Sequence, residues 1–169
     1  MLIIPSDGTS NQDQPKEGHM LFKGVDRVLV LVNDMDKARA FFGDLLGVAF
    51  DRTIVDENVQ IEVAMSRFGI ELGMPLVENH PFITDREGFE KNGGFLSLIV
   101  VRVSDFDAAV AHLRERGIEP KAFLDIGGAR EAIYDPADTF GLPIVLNEYP
   151  DSHGMTAQAL GDETLSSRS

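Results

Sequence analysis

The stretch VDRVLVLV, Val25 to Val32, places an arginine at the head of an apolar, β-branched run. A guanidinium is permanently charged. It offers five N–H donors in a planar fork suited to carboxylate, phosphate or enolate oxygens. On a solvated strand end Arg27 does no chemistry; facing a cavity, it is a ligand-binding group. Other chemistry is scarce. The chain has no Cys, which removes disulfides, thiolate metal sites and cysteine nucleophiles. Its four histidines are scattered. His19 and His153 fall in polar terminal stretches, and His80 sits in an ENHPF segment between hydrophobic blocks. His112 flanks the apolar stripe of a predicted helix, a surface position.

The elements that must position Arg27 follow from an internal repeat. VLVLVNDMDKARAFFGDLLGV from Val28 and LIVVRVSDFDAAVAHLRERGI from Leu98 align when shifted by about 71 positions, which superimposes Val32 on Val103, Asp34 on Asp105 and Asp36 on Asp107. Each copy opens with a β-branched strand and then turns; in the first, Asp34 or Asp36 can cap a helix start. Ala38, Phe41, Phe42 and Leu45 give the first helix an apolar stripe. Phe106, Ala109, Val110 and Leu113 give the second. Gly47 and Gly117 stop the helices. Three strand-like segments follow each helix, around 50–54, 59–65 and 69–74, then 121–125, 130–134 and 143–148.

This order predicts an α+β fold of two tandem βαβββ modules, 21–75 and 95–149. A linker or lid, 76–94, joins them, and polar tails occupy 1–20 and 150–169, with at most a short helix around Met155 to Leu160. One such module leaves a sheet face bare. Two side by side make a curved mixed sheet around a central cavity, with alternate strand residues facing inward.

Acidic residues outnumber basic ones 28 to 15, for a net charge of −13. Such a field repels phosphate backbones and anionic lipid, which argues against nucleic-acid and membrane partners. Its simplest role is solubility. The apolar runs are strand-sized, far short of the ~20 residues that span a bilayer. MLIIP lacks the basic flank and length of a signal peptide, so the expected location is the cytoplasm.

From Phe22 to Tyr149 the chain resembles the vicinal oxygen chelate superfamily of glyoxalases, bleomycin-resistance proteins, extradiol dioxygenases and methylmalonyl-CoA epimerases. LVNDMDKARAFFGDLLGVAF is similar to that family's strand, Asp turn, helix and Leu-Gly ending. VVRVSDFDAAVAHLRERGIEP is similar to the start of its second module, and REAIYDPADTFGLPIVLNEY to its closing strands. The long DPADTFG loop resembles the epimerase-like branch.

The resemblance implies a divalent metal held by His, Gln or Glu from the first and last strand of each module. Carried over residue by residue, the four positions are Arg27, Glu71, Leu98 and Val145. Only Glu71 is a metal ligand, and Arg27 is a fixed cation. A one-residue slip in register brings Asp26 in place of Arg27 but offers only Ser97 in the second module. No metal and no other cofactor is therefore expected. Arg27 and Glu71 become the candidate site residues, as a buried ion pair or as oxyanion binder and base. Leu29, Leu98, Val100 and Val145 would make the wall apolar, with Leu31 beside them. Asn147 would share the Val145 face and bind ligand with them. Arg102, Arg130, Glu131 and Tyr134 are weaker candidates.

The leading functional reading is a protein that binds a small, partly apolar molecule in the inter-module cavity without a metal, as a homodimer. One alternative is a metal-independent lyase, isomerase or epimerase using Arg27 and Glu71. Another is a metal-dependent glyoxalase or dioxygenase with displaced ligands, which would need His80 or another loop residue. The last is a scaffold whose cavity is filled. Whether Arg27 and Glu71 meet, and whether space remains beside them, separates these readings.

Overall fold

The computed structural model describes residues 21–50, 52–126 and 128–150. The expected tails, except Pro150, lie outside them, with His19, His153 and the short helix around Met155 to Leu160.

Eight strands form one sheet in the order β2-β3-β4-β1-β5-β8-β7-β6. The first module supplies β1 (Phe22–Val32), β2 (Arg52–Asp56), β3 (Ile61–Met65) and β4 (Ile70–Pro75). The second supplies β5 (Gly94–Val103), β6 (Pro120–Ile126), β7 (Ala129–Tyr134) and β8 (Ile144–Glu148). Within each module the first strand pairs parallel to the last, β1 with β4 and β5 with β8. The remaining pairs are antiparallel. The two modules join where β1 meets β5 antiparallel. This is the expected α+β curled sheet of two βαβββ units.

The repeat is visible in the caps. Asp34 accepts a hydrogen bond from the Lys37 N–H and starts α1 (Met35–Ala40). Asp105 does the same with the Ala108 N–H and starts α3 (Phe106–Arg114). Each carboxylate satisfies a first-turn N–H that the helix itself leaves unpaired. The next residues, Met35 and Phe106, are both buried. Gly47 and Gly117 adopt positive φ where the chain turns off the helical segments, a conformation that costs glycine least.

The first helical stripe departs from expectation. The helix widens into a π-turn at Phe41–Leu45, which rotates the residues that follow. Ala38 and Phe42 pack with Met35 on Val32, Ala64 and Leu72. Phe41, Leu45 and Leu46 point to solvent instead. In α3 the stripe holds: Phe106, Ala109 and Val110 are buried against Ala132, Tyr134 and Leu146, with Leu113 beside them.

The joining stretch does more than link. It carries α2 (Arg86–Asn92), capped by Asp85. Phe89 enters the core with Leu29, Leu31, Ile61, Leu98, Val100 and Val145, and Phe82, Ile83 and Phe95 pack on this cluster. The core at the module junction is thus covered from outside the two repeats.

Candidate functional site

The site forms on the concave face where β1 and β5 meet. Parallel and antiparallel pairing bring Leu29 beside Glu71 and Leu98, and Arg27 beside Val100, which in turn pairs with Val145. The predicted residues therefore converge from four strands and both modules.

A β-bulge resolves the register question. The β1–β5 ladder shifts between Val25 and Arg27, leaving Asp26 as an extra residue. A bulge breaks strict alternation, so successive side chains reach the same place. Asp26 and Arg27 are both there: Asp26 Oδ2 lies 3.1 Å from Arg27 Nη1. The slip and the unshifted register are not alternatives in this strand.

Arg27 is almost fully buried, at 6% exposure, and it meets more than one carboxylate. Its Nε donates to Glu71 Oε2 in a very short contact. Its Nη2 donates to Glu131 Oε1 at 2.6 Å. Its Nη1 donates to Asp26 and, at 2.7 Å, to the Tyr149 hydroxyl oxygen. That hydroxyl in turn donates to Asp26 Oδ2 at 2.6 Å. Asn147 Nδ2 donates to Glu131 Oε1 at 3.0 Å, and its Oδ1 is buried without a partner. Arg102 stands over the Tyr149 ring, 5.6 Å from its centre.

Three carboxylates thus surround one guanidinium. Burial pushes the Glu71 carboxyl above the usual carboxylate range. Arg27 opposes that shift, but the Glu131 and Asp26 charges reinforce it. Burial would lower the Arg27 pKa, yet Glu71 and Glu131 more than offset it and hold the group protonated. Burial also drives the Tyr149 hydroxyl well above its ordinary value, so it stays a neutral donor.

Beside this cluster lies a cavity of about 70 Å³, lined by Arg27, Glu131 and Asp56 among apolar side chains that include Leu98, Val100, Val145, Ile133 and Phe82. Of the candidate residues, Arg27, Leu98, Val100 and Val145 line it. Glu71 sits behind Arg27, Leu29 packs in the adjoining core, and Asn147 stands behind Glu131.

Three participants were not among the leading candidates. Alternation along β7 turns Glu131 inward with Ala129 and Ile133, and sends Arg130 outward to a two-point contact with Asp107. Tyr134 takes the outer side too, in the α3 core. A carboxylate between apolar residues at two-residue spacing was the signal for Glu131. Asp26 needed the bulge. Tyr149 lies just past β8, and no periodicity points to it.

The donor set does not fit the divalent metal that the family implies. The carboxylates spread around a planar guanidinium rather than closing to the 2.0–2.6 Å shell of a hard divalent ion. Among the described residues no group of three or more His, Cys, Asp or Glu is arranged to hold a metal. His80 is no substitute ligand. It is buried, with Nε2 2.7 Å from the Val59 carbonyl oxygen and Nδ1 accepting from the Phe82 N–H.

Fold and site together define a two-module βαβββ protein whose inter-module cavity has a charged floor. The model of the glyoxalase/bleomycin resistance protein/dioxygenase superfamily matches residues 24–146, and the chain belongs to that superfamily. Similar solved structures include methylmalonyl-CoA epimerase from Mycobacterium tuberculosis, 25% identical with a TM-score of 0.67, the match covering 80% of this chain and 93% of that one. A selenomethionine methylmalonyl-CoA epimerase is 27% identical with a TM-score of 0.65, covering 79% and 100%. A variant Streptomyces coelicolor epimerase in complex with 2-nitronate-propionyl-CoA, 21% identical with a TM-score of 0.66 over 76% and 99%, shares the fold. No curated protein matches by sequence. Among the described residues no helix is long and apolar enough to cross a membrane.

Proposed function

We propose that the chain binds a small, partly apolar molecule in the inter-module cavity, without a divalent metal. The observation that carries this reading is the cavity: an apolar wall against a fixed polar floor of Arg27 and Glu131. Apolar walls with a few placed polar groups are the usual makeup of small-molecule sites. The volume of about 70 Å³ is roughly that of two waters, so the cavity takes a very small ligand or the end of a larger one. Because four of the five Arg27 donors already have partners, the ligand meets a group held rigidly in place. Ligand-observed NMR on chelator-treated protein, with a panel of small aromatic and aliphatic acids, amines and amides, tests the reading. At least one compound binds if it is right; a silent panel overturns it.

A second reading is supported by the two carboxyls on either side of Arg27. Glu71 comes from the first module and Glu131 from the second, and burial raises the proton affinity of Glu71. A carboxyl with that tuning beside a guanidinium has the parts for proton transfer next to a carbonyl. Methylmalonyl-CoA epimerases are among the similar folds. On this reading the chain is a metal-independent isomerase or lyase: an acyl end enters the cavity, where it meets Arg27 and Glu131, and Glu71 acts from behind Arg27. Deuterium uptake from D₂O into an acyl thioester measures it directly. Unchanged uptake in Glu71→Gln and Arg27→Ala sinks the residue assignment.

Both readings describe a cytoplasmic homodimer. The exposed run Phe41, Leu45 and Leu46 supports pairing. Light scattering at micromolar concentration decides it, and a monomer counts against it.

A further inference from the structure

We infer that the polar cluster at the cavity floor is a guanidinium-binding site, occupied from within by the chain's own Arg27. Its walls come from both modules: Asp26 and Glu71 from the first, Glu131, Asn147 and Tyr149 from the second. Each face of the guanidinium edge has its own acceptor, Glu71 on Nε, Asp26 and Tyr149 on Nη1, and Glu131 on Nη2. Such placement follows the planar fork of a guanidinium rather than the compact shell of a metal ion.

Two observations show that the walls form a site in their own right and are more than a counterion set for one arginine. Among the described residues the cluster sets three carboxylates against the single Arg27 charge. A buried ion pair needs one counter-charge; here three carboxyls from separate strands converge on one cation. Asn147 is fully buried, bonded to Glu131 through its amide nitrogen, and its Oδ1 has no partner. A buried acceptor without a donor is uncommon and marks a place where further hydrogen-bond capacity is available.

The apolar cavity opens beside this site, with Arg27 and Glu131 in its lining. Removing the Arg27 side chain therefore joins the two spaces. The combined pocket would take a guanidinium carrying a small apolar group, the group lying against Leu98, Val100 and Val145.

The experiment is rescue of Arg27→Gly by free guanidinium. Thermal unfolding is followed with guanidinium chloride or methylguanidinium chloride against equal concentrations of NaCl, urea and MnCl₂. A ligand that binds the folded chain alone at about ten times its Kd raises the folded-to-unfolded ratio about tenfold. The expected result is a saturable rise in Tm for Arg27→Gly in low millimolar guanidinium or methylguanidinium. No such rise occurs in NaCl, urea or MnCl₂, and none in the wild-type chain. Adding Glu131→Gln to Arg27→Gly should weaken the response. If Arg27→Gly does not fold alone, refolding yield from urea is read with and without the cation. Recovery only with guanidinium upholds the site. No recovery with any cation, or rescue by MnCl₂ and not by guanidinium, overturns it.

Discussion

At the scale of single residues, Arg27 decides the character of the site. It stands where the family resemblance places a metal ligand, and its charge is met by Glu71, Glu131 and Asp26. Removing one member of a buried charge network strands the others. Arg27→Met is therefore expected to cost about 3–5 kcal/mol, measured by urea unfolding at neutral pH. Glu71 makes a prediction in pH. Its folded pKa lies above the unfolded value, so the folded state holds the proton more tightly. The stability it contributes is complete below the ordinary carboxylate range and is lost as pH rises through the raised value. The wild-type chain should thus lose stability relative to Glu71→Gln as pH is raised from that range toward neutral. A gap that stays flat or moves the other way would show that Glu71 is not raised. Arg27 and Glu71 were legible because the repeat and the resemblance gave them positions. Asp26 was legible only as a rival to Arg27, since a bulge cannot be read from alternation. Tyr149 had no signal, because it acts from the first residue after a strand.

At the scale of elements, the repeat governs. Asp34 and Asp105 cap equivalent helices, and the residues after them anchor those helices to equivalent cores. Asp105→Ala should cost about 1 kcal/mol, read as a fall in Tm, because a first-turn N–H loses its acceptor. Module joining depends on close backbone approach at the β1–β5 seam. A Cβ on Gly94 would run into the Leu31 carbonyl oxygen and lie 3.3 Å from Val32 Cα. Neither is the free end of a flexible side chain. Gly94→Ala should therefore lower stability by about 2 kcal/mol or more, in the range of severe single substitutions. The succession of strands and helices along the chain followed from hydrophobic period, and cap chemistry narrowed the first helix start to Asp34 or Asp36. The outward turn of Phe41 and Leu45 did not, because a π-turn changes the spacing without changing composition. Nor did the entry of Phe89 into the core, since the polar residues around it give the segment a loop-like composition.

At the scale of the whole molecule, two modules share one core and one cavity. The core cluster that includes Leu29, Leu98, Val100 and Val145 draws on both halves and on α2. Excess negative charge acts across this compact body. Added salt should raise Tm modestly, since a net charge of −13 repels itself and screening relieves it. The functional claim rests on the cavity beside Arg27. Val145→Phe would fill it at a cost of about 1–3 kcal/mol, leaving the ion cluster in place. The most direct measurement is ligand-induced thermal stabilisation of chelator-treated wild-type chain and Val145→Phe across one panel of small, partly apolar compounds. The predicted result is a compound that stabilises the wild-type chain and leaves Val145→Phe unmoved. Equal stabilisation of both chains, or binding that appears only when a divalent metal is added, would contradict a metal-independent site at this cavity.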